Sequence, residues 1–93
     1  MSAPAIIPHP DVVDTELDGH ETVLLHLGTK RYFSLNGTGS VIWQGLKKGM
    51  APDAIARELQ RRYDVTPERA VGSVTLLLDA LVEQRLAWRG PEQ

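Results

Sequence analysis

The side chains that could do chemistry in this chain are few and poorly spaced for it. His9, His20 and His26 fall on a proline-rich segment, a turn and a strand, without the paired spacing of metal ligands. Solvated or packed histidines are the simpler expectation, and no metal site is assigned. The acids Asp11, Asp14, Glu16 and Asp18 crowd one hairpin, which fits a solvated face better than a carboxylate pair for acid–base work. Gly37-Thr38-Gly39 has two glycines of a phosphate-binding loop but neither its lysine nor its parallel-strand setting. The chain has no cysteine, which excludes a disulfide framework, a thiolate metal site and a cysteine nucleophile together. Trp43 and Trp88 suit packing better than ligand stacking. No catalytic residue and no cofactor follow from these side chains.

Bulk properties narrow the partner. A chain of 93 residues, 42% of them hydrophobic and 24% charged, can bury one core and is too short for two. A formal net charge of −2 gives no general attraction to nucleic acid or to an anionic membrane. The first ten residues lack the basic and apolar regions of a signal peptide, and no stretch is long and apolar enough to cross a bilayer. With the missing cysteines, this fits a cytoplasmic protein. Pro4, Pro8 and Pro10 predict a flexible N-terminal arm over 1–11, followed by a domain over 12–88 and a frayed tail over 89–93.

The elements that would position any site can be read from the periodicity. Val12 to Leu17 alternates, with Val13, Thr15 and Leu17 on one face and Asp14 and Glu16 on the other, and Asp18-Gly19 supplies a tight turn. Thr22 to Leu27 forms a second strand, Gly28-Thr29 turns the chain, and Lys30 to Leu35 forms a third. Short connections predict an antiparallel meander with the third strand at an edge. After Leu35 the period changes from strand to helix, with Asn36 as the N-cap of a first helix over 37–48 that buries Gly39, Ile42, Trp43 and Leu46. Pro52 opens a second helix with Ile55, Ala56, Leu59 and Tyr63 inward. Thr66, Pro67 and Glu68 start a third that runs to about Gln84. Leu86, Ala87 and Trp88 then resume an extended apolar segment.

Two features exceed what a closed core needs. The third strand has charge only at its start, in Lys30 and Arg31, whereas natural edges are usually blunted by charge or proline. The third helix has a core stripe of Ala70, Val74, Leu77, Leu78 and Leu81, and Val71, Thr75 and Val82 widen it along one flank. Either that helix is covered on both flanks, or the flank borders a groove beside the exposed strand.

The order of these elements and their particular words resemble the PqqD-like family, the RiPP recognition elements that bind leader peptides in pathways to ribosomally synthesised, post-translationally modified peptides. The resemblance is carried by 32–39 (Tyr-Phe-Ser-Leu-Asn-Gly-Thr-Gly), Ile42-Trp43, Ile55-Ala56-Arg57-Glu58-Leu59, Tyr63-Asp64-Val65 and the closing Leu77 to Leu86, and it spans roughly Val12 to Trp88. Ala51 departs from the hydroxyl cap such a chain would have, and Arg85 from the glycine that often ends its last helix. The resemblance implies an α+β fold, a three-stranded antiparallel sheet followed by three helices in a winged-helix-like arrangement. It also implies a peptide chaperone, not an enzyme, that binds a precursor's leader by β-strand addition and delivers it to a modifying enzyme such as a leader protease, a cyclase or a radical enzyme. Carried onto this sequence, the pairing strand is Arg31, Tyr32, Phe33, Ser34 and Leu35, and the groove wall is Val71, Thr75, Leu78 and Val82. The module itself would be a monomer or weak homodimer, serving a lasso-peptide, quinone-cofactor or other natural product pathway.

Two other functions fit the same elements. A winged-helix DNA-binding domain would need basic or amide side chains on the outward face of the third helix, but that face reads Ser73, Leu76, Asp79, Ala80, Glu83 and Gln84. Its carboxylates would repel the phosphate backbone. A structural dimerisation module would use the same edge strand and apolar flank on a second copy.

Overall fold

The computed structural model describes residues 6–17 and 20–89. In chain order its elements are β1 (Ile6–Pro8), β2 (Val12–Leu17), β3 (Glu21–His26), β4 (Arg31–Leu35), α1 (Gly37–Lys47), α2 (Pro52–Arg62), α3 (Pro67–Glu83) and β5 (Ala87–Arg89). The fold is α+β. Strands β2, β3 and β4 form an antiparallel sheet in that order, with Thr22 opposite Leu35 and Leu24 opposite Phe33. The expected third strand is therefore β4, and it is an edge. The Asp18-Gly19 turn lies outside the described residues.

A second, two-stranded sheet pairs β1 with β5, Ile7 opposite Trp88. Residues 6–8 belong to the segment read as a flexible arm, but there they are in strand. Pro8 sits at the end of β1, where its missing amide costs the ladder nothing. The main chain then runs on through His9, whose amide donates to the Leu86 carbonyl at 3.0 Å.

Local chemistry explains the helix boundaries. The Asn36 side chain accepts from the Gly39 amide at 2.9 Å and the Thr66 hydroxyl from the Arg69 amide at 3.2 Å, each satisfying a donor of the first turn. Ala51 makes no side-chain cap, and Pro52 sets the first turn of α2 instead. Arg85 takes a left-handed φ of 63° just past α3, the conformation a glycine would adopt without strain.

The core lies between the helices and one face of the main sheet. Leu24, Ile42, Trp43, Ile55, Leu59, Val74, Leu81 and Leu86 are fully buried. The face turned to the helices carries Asp14 and Glu16, not Val13, Thr15 and Leu17. Asp14 accepts from Trp43 Nε1 and from Lys47 Nζ, both at 2.7 Å, and Glu16 accepts from Gln44 at 3.2 Å. Burial raises the Asp14 pKa, but the hydrogen bonds from Lys47 and Trp43 and the Lys47 charge outweigh it and hold the carboxyl below its ordinary value. A buried indole N–H needs an acceptor, and Asp14 provides it.

Candidate functional site

The two edges of the main sheet are built differently. The hydrogen-bond pattern settles which backbone groups each leaves free. Leu27 donates to the Asp11 carbonyl and the His26 carbonyl accepts from Lys30, so odd residues of β3 face β2 and even ones face β4. It follows that Arg31, Phe33 and Leu35 bond to β3, while the amides and carbonyls of Tyr32 and Ser34 point to the outer edge of β4, which no strand among the described residues pairs with. On β2 the outward backbone groups belong to Val12, Asp14 and Glu16. Two of these three carry carboxylates on the helix side of the sheet, the inward charges that protect an edge from pairing. β4 has no such guard between Tyr32 and Leu35.

Beside the β4 edge lies a groove. Ser34, Leu35 and Asn36 form one wall, Thr38, Gly39 and Ile42 of α1 its floor, and Ser73, Leu76, Leu77 and Ala80 of α3 the other wall. None of these side chains is charged. Leu76 is 73% exposed, a large apolar residue standing free at the lip. A strand added to β4 would turn the residue facing Phe33 and its i±2 neighbours toward this groove, since side chains alternate along a strand.

None of Val71, Thr75, Leu78 and Val82 lines that groove. Leu78 is buried in the core, Val82 is half-buried against it, and Val71 and Thr75 are exposed. At about 100° per residue, these four occupy the arc on one side of the Ala70, Val74, Leu81 stripe, whereas Ser73, Leu76, Leu77 and Ala80 occupy the other. The groove thus uses Ser73, Leu76 and Ala80 of the outward face that a DNA-binding helix would present. Leu76, apolar among polar neighbours, is the signal that marks it.

A larger cleft of about 1010 Å³ opens away from β4, between the β2–β3 hairpin, α1 and α2. Its rim cations Arg61 and Arg62 are already engaged by Glu58, at 3.1 and 2.7 Å. The hydrogen bonds from Arg61 and then Arg62 lower the Glu58 pKa in turn. On its floor the buried Thr22 and Ser40 hydroxyls bond each other at 2.7 Å. Glu16, Gln44, Glu58, Arg61 and Arg62 are thus matched to one another, although Lys48 also lines the cleft without such a partner among the described residues, and size alone does not make this cleft the site.

The histidines meet in space more than their spacing implied. The rings of His9 and His26 lie 4.7 Å apart, and His9 is equally close to Trp88. Nδ1 of His26 accepts from the Gly28 and Thr29 amides, and Nδ1 of His9 from the Asp11 amide. They tie the turn before β4 to the small sheet. Among the described residues no three His, Cys, Asp or Glu side chains are grouped to hold a metal ion. Nor is any helix among them long and apolar enough to cross a membrane.

Comparison with known proteins falls on the same elements. The family model for coenzyme PQQ synthesis protein D (PqqD) matches residues 21–87. Among solved structures, TbiB1 in complex with the TbiA(beta) leader peptide is 33% identical with a TM-score of 0.82, over 87% of this chain and 93% of that one. Lasso peptide synthetase B1 complexed with the leader peptide is 28% identical with a TM-score of 0.82, over 89% of this chain and 96% of the other. No curated protein sequence matches significantly.

Proposed function

The chain belongs to the PqqD family, and we propose that it binds the leader peptide of a ribosomally made precursor as a fourth strand beside β4 and delivers it to a modifying enzyme. The observation that carries this is the unguarded β4 edge, where among the described residues nothing pairs with the backbone groups of Tyr32 and Ser34 beside an uncharged groove. Strand addition needs that combination: main-chain hydrogen bonds supply affinity, and pockets for alternate side chains supply choice. Both structural relatives above are leader-peptide complexes, which supports the same assignment.

In this proposal the leader pairs along Arg31, Tyr32, Phe33, Ser34 and Leu35. Its inward residues rest on Leu35, Ile42, Leu76, Leu77 and Ala80. These are apolar surfaces, so the inward residues are apolar too, because a desolvated charge would find no partner there. The chain performs no reaction itself. It raises the local concentration of precursor at a leader protease, cyclase or radical enzyme, and it does so in the cytoplasm, where precursor is made. Titration of the purified chain with a synthetic peptide of the precursor's leader tests the proposal. Saturable binding that is lost on replacing Leu76 with aspartate supports it, and the absence of binding by the native chain refutes it.

A further inference from the structure

The central part of the main-sheet face turned away from the helices is uncharged and largely apolar, and among the described residues nothing covers it. Its cross-strand rows read Val13, Leu25, Tyr32 and Thr15, Val23, Ser34. Neither row holds a charge, and the exposed carboxylate of Glu21, opposite Leu17, bounds the face at the β2–β3 end. Val13 is 48% and Tyr32 72% exposed, and Leu17, at one end of the same face, is 47% exposed. An antiparallel sheet with one face on the core ordinarily shows polar side chains on the other. A contiguous uncharged patch in their place fits a contact with another protein where it continues into a second surface.

The partner follows from where the patch ends. Tyr32 and Ser34 form its border at the β4 edge, and they are the residues whose backbone groups are free to pair. Leader residues opposite them would set their own side chains on this same face, as directly opposed pairs do. The face and the bound leader would then form one continuous surface. A second copy of the chain is a poorer occupant. Three strands about 4.8 Å apart, each presenting five or six residues at about 3.3 Å, span on the order of 250 Å². Stable interfaces use about 800 Å² per partner. A larger protein that reaches past the rim and over the leader has no such limit.

We propose that this open face docks the enzyme that acts on the leader-bound precursor, through an uncharged apolar surface of that enzyme, with the leader as the outermost row of the contact. The proposal rests on the leader strand lying beside β4. Its consequence is coupling: the enzyme binds the loaded module more tightly than the empty one, and the leader gains affinity by the same factor when the enzyme is present.

The test uses Val13→Lys and, separately, Thr15→Lys, on the strand farthest from the leader. A buried lysine in the docked complex would have no counter-charge. Leader affinity of the purified variants, measured with the synthetic leader peptide, should stay within about twofold of native, because neither residue reaches the β4 edge. Output of mature peptide in the producing cell should fall at least about tenfold for both. Full output from both folded variants overturns the proposal, as does a loss of output matched by an equal loss of leader affinity. So does a dimer of the native chain at micromolar concentration that Val13→Lys dissolves. If the native chain binds no leader at all, the failure lies in the proposed function, and the docking face falls with it.

Discussion

Replacing Ser34 with proline separates the binding edge from the folded sheet. The Ser34 amide points away from β3, so proline there removes no hydrogen bond of the free protein. Its ring fixes φ near −65° and favours an extended residue before it, which Phe33 already is. The fold should lose about 1 kcal/mol, or roughly 4–8 °C in Tm for a domain of this size. Binding should lose more. One strand-to-strand hydrogen bond is worth about 0.5–1.5 kcal/mol net, and the leader carbonyl left facing the ring adds about 1–3 kcal/mol of unmet acceptor. The total, about 2–4 kcal/mol, weakens leader binding by between thirtyfold and several hundredfold. Isothermal titration with the synthetic leader and a thermal melt on the same samples read both quantities. Phe33→Pro is the control, since the Phe33 amide bonds to β3 and its loss should unfold the sheet. Ser34→Pro that folds and binds leader at native affinity would refute strand addition at this edge. Phe33→Pro that is tolerated better than Ser34→Pro would refute the assigned register.

The remaining expectations concern the groove, the Asp14 cluster and the helix contact. Leu76→Asp should reduce leader affinity at least about tenfold while the melt moves little, because the residue is exposed in the free protein. Thr75→Asp, on the opposite flank of α3, should leave affinity unchanged, and the two titrations together decide which side of the helix the peptide meets. Because the Asp14 carboxyl titrates below its ordinary value, its contribution to stability is fully present above the unfolded carboxylate pKa of about 4. That contribution fades as pH falls through the lower folded value. Asp14→Asn should therefore flatten the acid limb of a stability–pH curve and cost about 0.5–1 kcal/mol at neutral pH, a modest figure because Lys47 is 42% exposed. Gly45→Ala should destabilise by about 1–3 kcal/mol in chemical denaturation, since an added Cβ would sit 2.8 Å from Ile55 Cγ1.

What could be read from the sequence was set by local rules. Asn36 and Thr66 announced their helices because a short polar side chain followed by an amide-rich first turn has one favourable geometry. Strand order followed from short connections, and the unblunted β4 edge from composition alone. What stayed hidden depended on long-range placement. The widened stripe of α3 was visible, but which flank faces β4 depends on how the helix crosses the sheet, and no local pattern encodes that. Alternation in β2 was equally visible, yet the carboxylate side turned inward because Trp43 and Lys47 await it on α1. The pairing of Ile6–Pro8 with Ala87–Arg89 joins segments far apart in sequence, and three residues, one of them proline, are too few to show a period. The same distance in sequence hid the meeting of His9 with His26.

Amide hydrogen exchange by NMR, with and without saturating synthetic leader peptide, tests the central assignment most directly. In the free chain the amides of Tyr32 and Ser34 should exchange quickly while those of Phe33 and Leu35 are protected by β3. On binding, Tyr32 and Ser34 should become protected by at least about tenfold, with shift changes at Ser73, Leu76, Leu77 and Ala80. Saturable binding that leaves the Tyr32 and Ser34 amides exchanging as before, and instead perturbs Val71, Thr75 and Val82 or the cleft between α1 and α2, would contradict it.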